Sequence, residues 1–194
     1  MNGYVDWRMW ISMQIRCVLK VAVMVCVLCC LGCQKTPTTK GQAVELMRNY
    51  GQHHRVDDAI RIGSNWSAAH PDDAEMRVLV GLMYLEKARS STKDRESLVV
   101  EATHWVDQGL QLGQDVATLT EAASAFQIAG DLSENTRCDQ YQKAANVLAR
   151  VVELDNTYLG TKHDDDAEKW RQIVSMDQSK AETIKKKIAN SRCH

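Results

Sequence analysis

Three alanines at nearly equal spacing constrain this chain most. Ala59, Ala102 and Ala144 each open an apolar stretch of helical period, 43 residues apart in the first interval and 42 in the second. Self-similarity at such a period means that one supersecondary unit is stacked on the next, because a single unit cannot bury its apolar face alone. From Ala43 onward, apolar residues recur at intervals of three and four, and almost nowhere alternate in twos as a strand would. Only two prolines and one phenylalanine occur, and the glycine-punctuated β-branched runs of a sandwich are missing. The fold class is therefore all-α. Hydrophobic residues at 44% and charged residues at 25% exclude wholesale disorder, a collagen-like chain and a bare coiled coil. A formal charge of −1 provides no global basic surface for nucleic-acid phosphates.

The local pattern goes further. In Asp58-Ala-Ile-Arg-Ile-Gly-Ser-Asn-Trp-Ser-Ala-Ala-His-Pro-Asp-Asp-Ala74, a small residue opens a helix and Pro71 stops it, since proline cannot donate to the helical ladder. Asp72 or Asp73 can then cap the following helix, which carries Val80-Gly81 and Tyr84. Ala122-Ala123, Phe126 and Gly130-Asp131 repeat that first-helix arrangement, and Ala144–Asp155 repeats the second. Glu101–Leu112 is a weaker middle copy. This pattern resembles the tetratricopeptide repeat. The resemblance implies an α-α superhelix of about three helical hairpins over residues 43–156, with a C-terminal cap over 157–194. The family repeat is about 34 residues, so each later unit carries some eight or nine more. The excess falls around 88–98 and 132–141, and predicts either elongated hairpins or a polar loop in each.

The amino terminus has a separate logic. Arg16 and Lys20 precede an apolar run from Val21 to Gly32, too short to span a bilayer comfortably and built like a secretory signal. Its end, Leu31-Gly32-Cys33-Gln34, resembles the lipobox of bacterial lipoproteins. That resemblance implies a signal peptide over 1–32, a lipidated Cys33, and a polar tether over 33–42. An uncleaved apolar anchor is the alternative, and either attaches the chain to a membrane. Met13 is the more conventional start for such a signal, since Asp6 precedes the basic residues. Cleavage before Cys33 changes the net charge from −1 to −3, by removing Arg8, Arg16, Lys20 and Asp6. Cys138 and Cys193 then remain, as free thiols or as a bridge; their spacing does not decide which.

Residues that invite chemistry have plainer roles available. His53 and His54 are adjacent, so on a helix they would not face one another, and a turn between helices suits them better than a metal. His163 with Asp164, Asp165 and Asp166 could hold a hard cation, but acidic residues there fit the amino end of a tail helix. Ile184 and Ile188 give that helix a narrow apolar stripe among lysines, as the cap of an open stack requires. Lys185–Lys187 reads as a solvated helix end in preference to a lipid contact. Glu101 and His104 lie one turn apart without a nucleophile or third group. Trp66, Trp105 and Trp170 fall within apolar helical patterns. No haem, nucleotide or metal signature occurs, and the reading is of a non-enzyme without cofactor.

The repeat resemblance implies that the first helices line a concave surface for an extended peptide or partner helix. The residues at matching positions are Glu45, Arg48 and Gln52 in the first unit, Glu75, Val78, Leu82 and Leu85 in the second, and Thr120, Ser124 and Gln127 in the third. Val78, Leu82 and Leu85 form an apolar stripe that either faces a partner or lies under the tail helix or a loop. The functional expectation is a lipid-anchored scaffold for another protein of the bacterial envelope, with Gln34 consistent with an outer-membrane, periplasm-facing address. A structural spacer, or an accessory subunit of an envelope enzyme, is the alternative.

Overall fold

The structure is a computed structural model that describes residues 36–160, 164–191 and 193, with backbone alone at 164–166. The signal over 1–32, the start at Met13, the lipidation site Cys33 and the cation candidate at His163–Asp166 lie outside the residues or side chains described. Seven helices account for the described chain, and no strand occurs in it. They are α1 (Lys40–Gln52), α2 (Val56–Ala69), α3 (Ala74–Ser90), α4 (Arg95–Leu112), α5 (Val116–Leu132), α6 (Arg137–Leu159) and α7 (Asp164–Asn190).

Each helix packs chiefly on its neighbour in sequence, giving the hairpins α1/α2, α3/α4 and α5/α6, with α7 laid on α6. In addition α1 touches α3 and α3 packs on α5, so the first helices of the hairpins form one layer. This is the expected all-α hairpin superhelix. Ala59, Ala102 and Ala144, whose spacing defined the period, are all completely buried. The extra residues of the later units lie in helix: α1 and α2 have 13 and 14 residues, whereas α3 and α4 have 17 and 18. The hairpins are elongated, and the α3–α4 and α5–α6 turns are short. Helix α1 starts at Lys40, inside the segment expected to be tether.

The helix starts follow a rule. Every first helix has a side-chain cap that accepts from the backbone N–H three residues on: Thr39 from Gln42, Asp73 from Met76 and Asp115 from Thr118. Of the two acids after Pro71, Asp73 is thus the one that caps. None of α2, α4 and α6 has such a cap. Between α1 and α2 the chain turns through His54, whose φ of 57° is left-handed. Its N–H bonds to the Gly51 carbonyl and that of Arg55 to the Tyr50 carbonyl, so the last carbonyls of α1 are satisfied in the Schellman manner.

Within each hairpin a glycine admits a bulkier partner. A Cβ on Gly81 would lie 2.6 Å from Val106 Cγ2 and 2.8 Å from the Ala102 carbonyl oxygen, and one on Gly109 2.7 Å from Val78 Cγ2. Gly130 lies equally close to the ring of Tyr141. In the first hairpin the glycine is Gly63 on α2, with Val80 of α3 and Met47 of α1 over it.

Helix α7 continues the core. Ala167, Trp170, Val174, Asp177, Ala181, Ile184 and Ile188 are buried or half-buried and alternate in steps of three and four, the spacing of a coiled-coil seam. Ile184 is fully buried in the main cluster with Phe126, Tyr141 and Leu148. Cys138 and Cys193 form a disulfide with Cα atoms 5.3 Å apart, which joins the start of α6 to the residues after α7. Lys187 Nζ donates to both oxygens of Asp131, at 2.6 and 2.7 Å, and Tyr141 Oη donates to the same carboxylate.

Candidate functional site

A cavity of about 610 Å³ lies along α1. Two rows of α1 line it, Lys40, Val44, Arg48 and Gln52 in one, and Gly41, Glu45 and Asn49 in the other. Each row steps by four residues, so both follow from the helical period once α1 begins at Lys40. Glu75, in the first turn of α3, completes the lining.

Electrostatics organise one end. Lys40 Nζ sits 2.9 Å from Asp73 and 2.7 Å from Glu75. Burial is the largest single influence on Lys40 and lowers its pKa, but the bonds to Glu75 and Asp73 together outweigh it and raise the pKa. At Asp73 burial likewise opposes ionisation most. The bonds from Lys40, the Met76 N–H and the Trp66 indole nevertheless hold the carboxyl below its ordinary range. Glu121 on α5 is different. Burial raises its pKa, and the charges of Glu75 and Asp115 add to that against Arg48 and Lys40. Its Oε2 is buried and has no hydrogen-bond partner among the described residues. Arg48 is exposed, and no carboxylate among the described residues binds it.

The structure brings together Glu45, Arg48, Gln52 and Glu75 of the expected surface. It removes others. Val78 is completely buried and Leu85 is 1% exposed, both in the main core cluster, so neither faces a groove. The reason lies on the partner helix: Ala102 and Gly109 let α4 approach until Val78 is covered. Leu82 is half-buried and packs against both core clusters. The stripe is therefore covered by neighbouring helices and not by the tail or a loop.

On α5, Thr120 Oγ1 donates to the Val116 carbonyl at 2.7 Å and Ser124 Oγ to the Thr120 carbonyl at 3.0 Å. Gln127 is half-buried, and none of the three lines the cavity. Sequence reasoning missed Lys40 and Gly41, because α1 was expected to start later, and it missed Val44 and Asn49, which lie within the expected helix. It also missed Glu121, whose position one residue beyond Thr120 carried no distinguishing pattern.

The remaining chemical candidates are separated or engaged. Glu101 accepts from Trp105 Nε1 at 3.0 Å, while His104 Nε2 bonds to Gln108 at 2.8 Å. His53 ends α1 and His54 makes the turn. No group of three metal-ligating side chains occurs among the described residues, and no helix there is long and apolar enough to cross a membrane.

Stacked antiparallel hairpins define the fold class, a helical-hairpin superhelix, with a groove along its first helix. No family model, no curated protein and no solved structure matches the chain.

Proposed function

We propose that this chain is a lipid-anchored, tetratricopeptide-like scaffold that holds another protein or peptide of the bacterial envelope. The observation that carries this reading is the groove along α1. It is open and lined by charged and amide groups, the exposed Arg48 among them. The planar guanidinium of Arg48 suits a carboxylate or carbonyl group presented by a partner. The sequence Leu31-Gly32-Cys33-Gln34 supports attachment through acyl chains on Cys33, with Gln34 favouring the outer membrane and a domain facing the periplasm.

Two experiments test the two halves. Cys33→Ala removes the lipid label from the mature chain; persistence of the label moves the attachment elsewhere. Co-purification from mildly solubilised envelopes compares wild type with Arg48→Glu, an exposed position where the fold tolerates change. Loss of one stoichiometric partner supports the groove. A partner retained in the variant places the contact on another face, and no partner at all supports a spacer.

A further inference from the structure

The α6/α7 hairpin is closed at both ends. The chain itself closes one, between Leu159 and Asp164, and the Cys138–Cys193 disulfide closes the other. Between these closures the seam of α7 is apolar or aromatic except at Asp177, which is 5% exposed. Opposite it on α6 lies Asp155, completely buried, with neither carboxyl oxygen bonded to a donor in the structure as it stands. A proton shared between the two acids would supply the missing bond. Lys180 Nζ donates to Asp177 Oδ1 at 2.6 Å and offsets one charge of the two.

We propose that α7 is a latch, held shut jointly by the Cys138–Cys193 disulfide and by a proton shared between Asp155 and Asp177, and freed by reduction of the disulfide, by a dithiol for example, only where that proton has been lost.

The charged groups acting on Asp155 are Asp177 and Lys180, both on α7; among the described residues none on α5 acts on it. Burial raises its pKa most, and the Asp177 hydrogen bond and charge raise it further, against Lys180. A carboxyl raised by folding stabilises the docked state fully below its ordinary value of 3.8 and loses that contribution as pH rises through the raised value. Above that raised value the seam carries one uncompensated negative charge, and the disulfide keeps α7 in place against it.

Reduction is an ordinary exchange. A thiolate of the dithiol attacks Sγ of Cys138, which is exposed, and Cys193 leaves as a thiolate. The second thiolate of the reductant then attacks its own sulfur in the mixed disulfide and expels Cys138. Two electrons pass to the protein, both cysteines take up protons, and the reductant departs as a disulfide. Release uncovers the side of α5 and α6 on which Ala181, Ile184 and Ile188 pack.

The test is hydrogen exchange on the full chain in mild detergent, with and without tris(2-carboxyethyl)phosphine, which reduces disulfides in acid as well as at higher pH, at about pH 5 and about pH 8 and corrected for intrinsic rates. The expected result is exchange in α7 roughly tenfold faster or more on reduction at the higher pH, and less than about twofold at the lower, with α1 and α2 unchanged. Asp155→Asn, which needs no shared proton, removes the pH dependence. The double variant Cys138→Ser, Cys193→Ser behaves as the reduced chain without reductant. Unchanged protection of α7 on reduction at the higher pH overturns the proposal. So does loss of protection in all helices together, or an Asp155→Asn chain that opens as readily as wild type.

Discussion

Trp66 donates its indole N–H to Asp73 Oδ2 across 3.0 Å, and this bond joins the end of the first hairpin to the start of the second. The other oxygen accepts from the Met76 N–H at 3.1 Å, and Lys40 reaches it from α1 at 2.9 Å. Three helices thus meet at one carboxylate. Asp73→Ala removes the cap, the indole partner and the ion pair together, and is expected to cost about 2–3 kcal/mol in denaturant melts. Asp73→Asn keeps the cap through its single carbonyl oxygen but sets an amide N–H against the indole N–H and loses the ion pair, and costs less than Asp73→Ala. Because folding lowers the Asp73 pKa, its contribution is present above the ordinary 3.8 and lost as pH falls through the lowered value. The acid limb of the wild-type stability profile should therefore flatten in Asp73→Asn.

One substitution has opposite signs at two glycines. In Gly81→Ala the new methyl meets the Ala102 carbonyl, which cannot rotate away, and the expected loss is about 2 kcal/mol or more. In Gly41→Ala nothing lies within 4 Å, so helix propensity alone acts and the expected gain is roughly half a kcal/mol. Thermal melts of the two variants check the close approach of α3 to α4.

His54 adopts a left-handed backbone that side chains resist. His54→Gly keeps both hydrogen bonds of the turn and is expected to stabilise the domain by about 0.5–1 kcal/mol. A decrease would mean that the imidazole itself supports the turn.

The disulfide spans 55 residues of sequence. On the loop-entropy account its removal costs about 4 kcal/mol, less any order retained by the unfolded chain. Denaturant titration of Cys193→Ser against wild type, with and without reductant, measures this. Reductant should shift the wild type toward the variant and leave the variant unchanged.

The sequence carried the architecture through its small residues. Ala59, Ala102 and Ala144 marked close helix crossings, and Pro71 with Asp73 marked a hairpin boundary, because both follow from backbone geometry. Side-chain destinations were harder to read. Val78, Leu82 and Leu85 look like a binding stripe in one dimension, and only the approach of α4 over Gly109 shows that they are core. The Cys138–Cys193 bridge was equally hidden, since it depends on α7 returning antiparallel along α6. The α1 rows were legible in principle: Lys40, Val44, Arg48 and Gln52 are spaced by four, but a start placed three residues late concealed the first. The acid at position 177 of the α7 seam reads as a surface residue until Asp155 is placed opposite.

The central claim is that the groove along α1 receives a partner, and crosslinking from within it is the most direct test. A photoreactive residue at Asn49 or Gln52 should capture one and the same envelope protein in intact cells. The same residue at Asn65, exposed on α2 away from the groove, should not. Capture from Asn65 alone, or equally from all three positions, would contradict the account.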